Sequence, residues 1–408
     1  MRFCKSLSKE EYQKFWESTP NNHFMQSYEW GVAQSKTRGY ENVYVGLKDD
    51  NNKLVAASLL LKKRTPFKMC YFYAPRGYTI DFRDNKVLEE FTKRLKNFLK
   101  EENAIYLKLD PPLCYHEINI DGTIKENGKN NYQIFNNFLN LGYIHKGFNK
   151  LYERNQPRYT FRTYFKNYKD LEEIKSKMSS SFTKTLKRSY NYDITITESD
   201  DITKFYELIK IVSNKDNFHE YSQEYYQTIF DELKKEGYIK VFNAGVNPSK
   251  IITKLEIELE KEKKDNRKEK IEKDIEYFKN INKDEDIVIG SLICTYSKTG
   301  AWSLYIGNDD TALYTGAVNR LYYEFIANAY ENKYEYFDLF GVVGDHKTKY
   351  KNLSGIYEYK KKFGGEYIEF IGEFDLVNKK FWYYVLPILL KVYRSIRKNW
   401  IISVFYIA

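Results

Sequence analysis

Between Pro248 and Asn282 the chain runs without a glycine, and more than half of its residues there are charged. The apolar residues recur at helical spacing: Ile252, Leu255 and Leu259 fall on one face, and Ile271, Ile275 and Phe278 on another, with Asp265-Asn266 between them. A strand would need alternation with period two, so the segment predicts two antiparallel helices joined at that turn. From Lys254 to Lys279 nine cations face nine anions (9 − 9 = 0), which makes a salt-laced coiled-coil arm projecting from a domain rather than a polycation shaped for RNA. On either side the pattern turns to strands, Tyr159 to Tyr164 and Asp193 to Thr197 before it, Asp286 to Tyr296 and Ala301 to Ile306 after it. The arm therefore interrupts a domain of another kind.

That domain and the one before it read as α+β (mixed α/β). In the first half, helices are expected from Glu10 to Trp16 and around Tyr28 to Ser35, followed by strands from Asn42 to Leu47 and Leu54 to Leu61 across an Asp-Asp-Asn-Asn turn. A helix from Asn85 to Lys100, a strand from Ala104 to Leu109 and a helix from Asn130 to Leu141 complete a first domain of residues 1–150. Residues 151–247 and 283–379 make the second domain, 248–282 the arm, and 380–408 a basic aromatic tail.

The stretch from Tyr336 to Asp375 reads as strand, loop, a turn of helix after Gly355, and strand. It holds Lys360, Lys361 and Lys362 among aromatic rings and between glycines. Chemistry alone leaves two readings of these lysines open: an anion-facing surface, or cations complementing a helix C-terminus.

The same stretch resembles the C-terminal pattern of the Fem/MurM family of peptidoglycan bridge-forming aminoacyltransferases, F-x-G-x-x-G-D, then G-x-x-x-F-K-x-x-F-G, then G-E-F-D. The matching residues are Phe340, Gly341, Gly344 and Asp345; Gly355, Tyr359, Lys360, Phe363 and Gly364; and Gly372 to Asp375. Weaker likenesses reach back to Phe24. Phe24, Gln26, Ser27 and Trp30 match a block that precedes a phosphate-holding lysine, for which Lys36 is the candidate here, although Gln34 stands at the closer spacing. Ala74 to Gly77, with Arg76, resembles Y-x-P-R-G-P, and Asp110 before Pro111 resembles K-x-D-P. Tyr225 matches the tyrosine of F-x-x-R-x-x-x-Y, whose arginine position holds Tyr221; Tyr305 stands where the family has a channel tyrosine.

The resemblance implies two N-acyltransferase (GNAT)-like domains and transfer of Gly, Ala or Ser from aminoacyl-tRNA to the peptide stem of lipid II or UDP-MurNAc-pentapeptide. It implies Lys360 as the cation at the reacting carbonyl, positioned by Tyr359 and Phe363. Lys36, Arg76, Tyr225, Tyr305, Gly341 and Asp345 would line the substrate site, with Asp110 a candidate proton acceptor. Lys184, Lys187, Arg188 and Lys361 would meet tRNA phosphates. Each has a plainer alternative: Arg76 and Asp110 as turn formers, the lysines as a solvated helix face, the tyrosines as core.

Composition agrees with an anionic partner, since the net charge is +10. Cys4, Cys70, Cys114 and Cys294 are scattered with no metal-ligand or disulfide spacing, and no Ser/His/Asp, H-E-x-x-H, G-x-G-x-x-G or Walker pattern occurs. The expected chemistry is therefore direct transfer without cofactor or metal, in which an amine attacks an already activated ester. An acyl-CoA N-acyltransferase and a non-catalytic RNA- or membrane-binding scaffold stay open as alternatives.

The N-terminal residues lack the apolar run of an export signal, so a cytoplasmic protein is expected. The tail from 380 to 408 is apolar and aromatic but interrupted by Pro387, Lys391, Arg394, Arg397 and Lys398, too broken to span a bilayer. Lys391, Arg394 and Lys398 share a face, which suits an interfacial helix at the inner face of the plasma membrane or a helix docked on the first domain.

Overall fold

The computed structural model describes residues 1–389 apart from Asn21, Asn217, Asn282 and His346. The chain divides into two units, one of residues 1–117, 124–149 and 370 onward, the other of residues 118–123 and 150–369. Each is built on its own mixed sheet, as the α+β reading expected.

The sheet of the first unit runs in the order Arg2–Cys4, Glu41–Lys48, Leu54–Thr65, Met69–Ala74, Ala104–Leu109, Phe374–Val377, Tyr143–His145, with Thr79–Ile80 paired onto the third strand. Met69–Ala74 and Ala104–Leu109 pair in parallel, which demands a crossover, and the helix Asn85–Glu101 supplies it. Asp84 caps that helix by accepting from the Lys86 and Val87 amides, and Leu88, Phe91, Leu95 and Leu99 line its buried face.

Phe374–Val377 corrects the expected boundary at 379, because it sits inside the first unit's sheet and not at the end of the second domain. Two buried carboxylates at its start explain the choice. Lys108 pairs with Glu373 and lies 3.3 Å from Asp375, and Lys146 lies 3.4 Å from Asp375. The Tyr383 hydroxyl donates to Asp375 at 2.6 Å. Tyr383 and Leu386 bury themselves with Met69 and Ile105, so the described start of the tail docks on this unit. Lys391, Arg394 and Lys398 lie outside the described residues. No helix among the described residues is long and apolar enough to cross a membrane.

The second unit orders its strands Thr195–Ser199, Ile239–Val246, Ile287–Tyr296, Gly300–Asn308, Tyr336–Asp338, Tyr159–Tyr164, Glu366–Phe370. The parallel pair here is Gly300–Asn308 with Tyr336–Asp338, bridged by the helix Ala317–Glu331. Pro248–Lys261 and Asp265–Ile281 form the expected helical hairpin, started by Asn247, whose side chain accepts from the Lys250 amide. It does not project free of its domain. Ile251, Leu255, Ile271, Ile275 and Phe278 are buried in the unit's main core, and Tyr277 stacks on Tyr314 with ring centroids 3.9 Å apart.

A second correction concerns the segment after the glycine loop. The helix there is Lys351–Lys361, with Gly355 inside it and not at its start. Gly355 faces open space, where an exposed glycine costs a helix roughly 1 kcal/mol and does not end it.

Candidate active site

Strand Tyr336–Asp338 ends at a buried carboxylate that governs the loop beyond it. Asp338 Oδ1 accepts from the Phe340 amide at 2.7 Å, which holds Phe340 in the left-handed region at φ +52°. The Phe340 and Gly341 carbonyls then both accept from Lys360 Nζ, the second at 3.0 Å. Side chains are excluded from this loop by contact: a Cβ on Gly341 would stand 2.4 Å from Pro157, and one on Gly344 would stand 2.2 Å from the Tyr159 ring. Strand and helix are thereby clamped together through a lysine.

Asp338 is itself held from behind. Arg162 places Nε at 3.0 Å and a terminal nitrogen at 2.9 Å from Asp338 Oδ2, and the Thr160 hydroxyl donates to Oδ1 at 2.6 Å. The Arg162 guanidinium lies 4.2 Å from the centre of the Tyr336 ring. Desolvation pulls the Lys360 ammonium down to about 8, a fall that the Asp338 charge opposes. The result is a cation that is fixed, half-buried and close to losing its proton at physiological pH.

The neighbours of Lys360 on its helix face the core. The Tyr359 hydroxyl donates to Asn319 Oδ1 at 3.1 Å, and burial holds it well above the usual phenol range. Phe363 is buried against Phe182 at 4.5 Å and Tyr322 at 5.1 Å between centroids. These two rings set the helix against the unit, and Lys360 is carried into the loop as a consequence. Lys361 instead lies over the Tyr357 ring, and Asp345 is exposed.

Elsewhere in the second unit, burial, with Tyr225 close by, holds the Tyr305 phenol well above its usual range. Tyr221 packs on Tyr225 at 4.1 Å and Tyr226 on Tyr305 at 5.2 Å, so a tyrosine cluster occupies the region where the family pattern carries an arginine. On the helix Ser180–Ser189, Lys184 and Lys187 are exposed while Phe182 and Leu186 are buried. Arg188 donates to the Leu313 carbonyl at 3.1 Å and so is tied to the fold.

Arg76 and Asp110 meet in the first unit. Asp110 Oδ1 accepts from the Arg76 amide at 2.6 Å and Oδ2 from the Tyr73 hydroxyl at 2.8 Å, which pins Arg76 at φ +49°. Burial raises this carboxyl to about 6 against the pull of Arg76. The Arg76 guanidinium lies 4.6 Å from the Phe370 ring. Lys36 is exposed near the end of the helix Tyr28–Arg38, and Gln34 is buried. The candidate cation and the candidate proton acceptor thus belong to different units. Sequence reasoning missed Asp338, Arg162, Thr160 and Asn319; the one local sign of the first two is a charged residue on each of two otherwise uncharged strands, which does not name its partner.

Two mixed α/β units, each with a parallel strand pair bridged by a helix, make up the fold, and the second presents a desolvated lysine beyond a strand end. The crystal structure of FemX matches 94% of this chain and 100% of its own with a TM-score of 0.77 at 21% sequence identity. The FemAB family model matches residues 7–280 and 262–391, and the chain belongs to that family. It is 25% identical over 433 residues to aminoacyltransferase FemA of Staphylococcus epidermidis, covering 98% of this chain and 99% of that one. Over 153 residues it is 36% identical to aminoacyltransferase FemA of Staphylococcus aureus (strain bovine RF122 / ET3-1), an alignment spanning 37% of this chain and 35% of that relative.

Proposed function

We propose that this chain is an aminoacyltransferase that moves Gly, Ala or Ser from aminoacyl-tRNA to an amine of a peptidoglycan precursor, either lipid II or UDP-MurNAc-pentapeptide. The observation that carries the reading is Lys360, a cation held against two carbonyls in a partly desolvated setting within a chain whose full-length relatives are named aminoacyltransferases. The acceptor nitrogen attacks the ester carbonyl carbon, a C–N bond forms, and the carbonyl oxygen takes up negative charge. Collapse breaks the ester C–O bond, and the proton lost by the amine balances the one gained by the departing ribose hydroxyl. A fixed ammonium beside that oxygen lowers the barrier because its orientation is set before reaction.

In this reading Lys36 and Arg76 meet acceptor phosphate, Tyr225 and Tyr305 line the acceptor path, and Lys184, Lys187 and Lys361 meet tRNA phosphates. Asp110, with both oxygens engaged by donors, holds the Arg76 turn and takes no proton. Contact with the inner face of a membrane is supported by exposed Phe381, Tyr384 and Ile388 on the described start of the tail. Exposed Phe67, packed on Trp382 at 5.3 Å, extends that apolar patch.

Transfer of radiolabelled glycine, alanine and serine from charged tRNA to each precursor, with Lys360→Ala alongside, tests the function. Lysine-dependent transfer is expected. No transfer from any charged tRNA, together with binding of coenzyme A, would move the assignment to an acyl-CoA enzyme.

A further inference from the structure

Lys360 is not placed by its own helix alone. Its two acceptors are backbone carbonyls of residues 340 and 341, and the backbone at residue 340 adopts a left-handed conformation that a phenylalanine rarely takes. What maintains it is the Asp338 carboxylate on the Phe340 amide. That carboxylate is buried on the strand Tyr336–Asp338 and takes two further donors from the adjacent strand Tyr159–Tyr164. The chain of contacts is continuous: Arg162 and Thr160 to Asp338, Asp338 to the Phe340 amide, the Phe340 and Gly341 carbonyls to the Lys360 ammonium.

We propose that Arg162 and Asp338 are positioning residues for Lys360: the carboxylate fixes the turn whose carbonyls hold the ammonium, and the guanidinium fixes and balances the carboxylate. The role rests on the reading of Lys360 as the transfer cation, although its placement stands on geometry. The charged and titratable groups around the lysine are few. Asp338 faces it from the neighbouring strand, Arg162, Tyr164 and Tyr336 surround Asp338, and Glu358 and Lys361 flank it on its own helix, with Lys362 capping that helix.

The two charges act in opposite directions on the ammonium. Asp338 favours the protonated form and opposes desolvation, whereas Arg162, paired with that carboxylate, offsets much of the field that Asp338 exerts on the ammonium. A lysine equally desolvated but without Asp338 would lose its proton more readily. One facing an uncompensated aspartate would hold it too firmly to respond to a reacting oxygen.

The test is competitive labelling of the intact protein with acetic anhydride across pH 6 to 11, reading acetylation of Lys360 by mass spectrometry in native, Asp338→Asn and Arg162→Met chains. The labelling midpoint is expected to fall by about one pH unit in Asp338→Asn and to rise by about one in Arg162→Met. Asparagine keeps an oxygen for the Phe340 amide, so the first variant changes charge with little change of shape. Arg162→Lys, which restores the cation, should return the midpoint toward the native value. The alkaline limb of kcat/KM should move with the labelling midpoint in each variant. Unmoved midpoints in folded variants would overturn the proposal, and so would unfolding of both Asp338→Asn and Arg162→Met, which would make the pair purely structural. Midpoints that move while transfer ignores Lys360 would leave the positioning intact and remove the catalytic reading; the converse would do the reverse.

Discussion

Replacing Lys360 by methionine should raise stability while cutting transfer steeply. The two effects have one origin. Holding this lysine as an ammonium moves its proton affinity from 10.5 to about 8, and at about 1.4 kcal/mol per pH unit the charged form costs the fold roughly 3 kcal/mol. Methionine takes a similar volume without charge, but leaves the Phe340 and Gly341 carbonyls without that donor, at about 1 kcal/mol each. The difference is a gain of about 1 kcal/mol at pH 7, or roughly 2–4 °C in the midpoint of the second unit. The sign follows from linkage. A lysine whose affinity is lowered on folding destabilises fully below the folded value and ceases to do so as pH rises from about 8 to 10.5, so the gain of the variant should disappear over that window. Transfer should fall by about 10²–10³, the usual loss when one oxyanion donor is removed. Thermal unfolding at pH 7 and pH 10, with single-turnover transfer, reads all three quantities. A variant destabilised by more than about 2 kcal/mol that still transfers would make Lys360 a structural clamp and refute the reasoning.

On the proposed role of Lys360 as an ammonium, transfer in the native protein should decline as pH rises through about 8; a rate that climbs through that range would assign it instead as a base. Asp110→Asn should be no less stable than native at pH 7 and should keep most of its activity. The raised carboxyl, at about 6, adds stability only at low pH and loses it as pH rises through that value; a loss of more than about 10²-fold in transfer would return Asp110 to the role of proton acceptor. Ile275→Ala should destabilise the second unit by about 2–5 kcal/mol because the hairpin is part of its core; a cost under about 0.5 kcal/mol, measured by urea unfolding, would restore the picture of a free arm. Gly344→Ala, aimed at the Tyr159 ring, should lower transfer through loop displacement, and unchanged kinetics would contradict that close approach.

Periodicity made the elements legible. The bounds of the strands Ala104–Leu109 and Tyr159–Tyr164 and of the helix Ala317–Glu331 follow from patterns visible in the residues alone. What local pattern could not carry was partnership at long range. The strand Phe374–Val377 looks like a natural end to the domain before it, and only the lysines at 108 and 146, far earlier in the chain, decide where it goes. The hairpin likewise showed its helices but not their docking, because the residues that receive it, Tyr192 and Tyr314, lie outside the periodic segment. In the site, Lys360 was marked by a motif. Arg162 and Asp338 were not, because a charged residue on a short strand says nothing of a partner 176 positions away.

The return of Phe374–Val377 to the first sheet also bears on how the chain is made. Ala104–Leu109 and Tyr143–His145 leave the ribosome before the second unit, but the strand that hydrogen-bonds to both leaves only after it. Throughout synthesis of the second unit, the first lacks the strand that joins Ala104–Leu109 to Tyr143–His145 and the carboxylates that Lys108 and Lys146 meet in the finished fold. A fragment cut at residue 150 is therefore an incomplete sheet and not a domain, and a premature stop anywhere before residue 374 leaves the first unit without a finished fold.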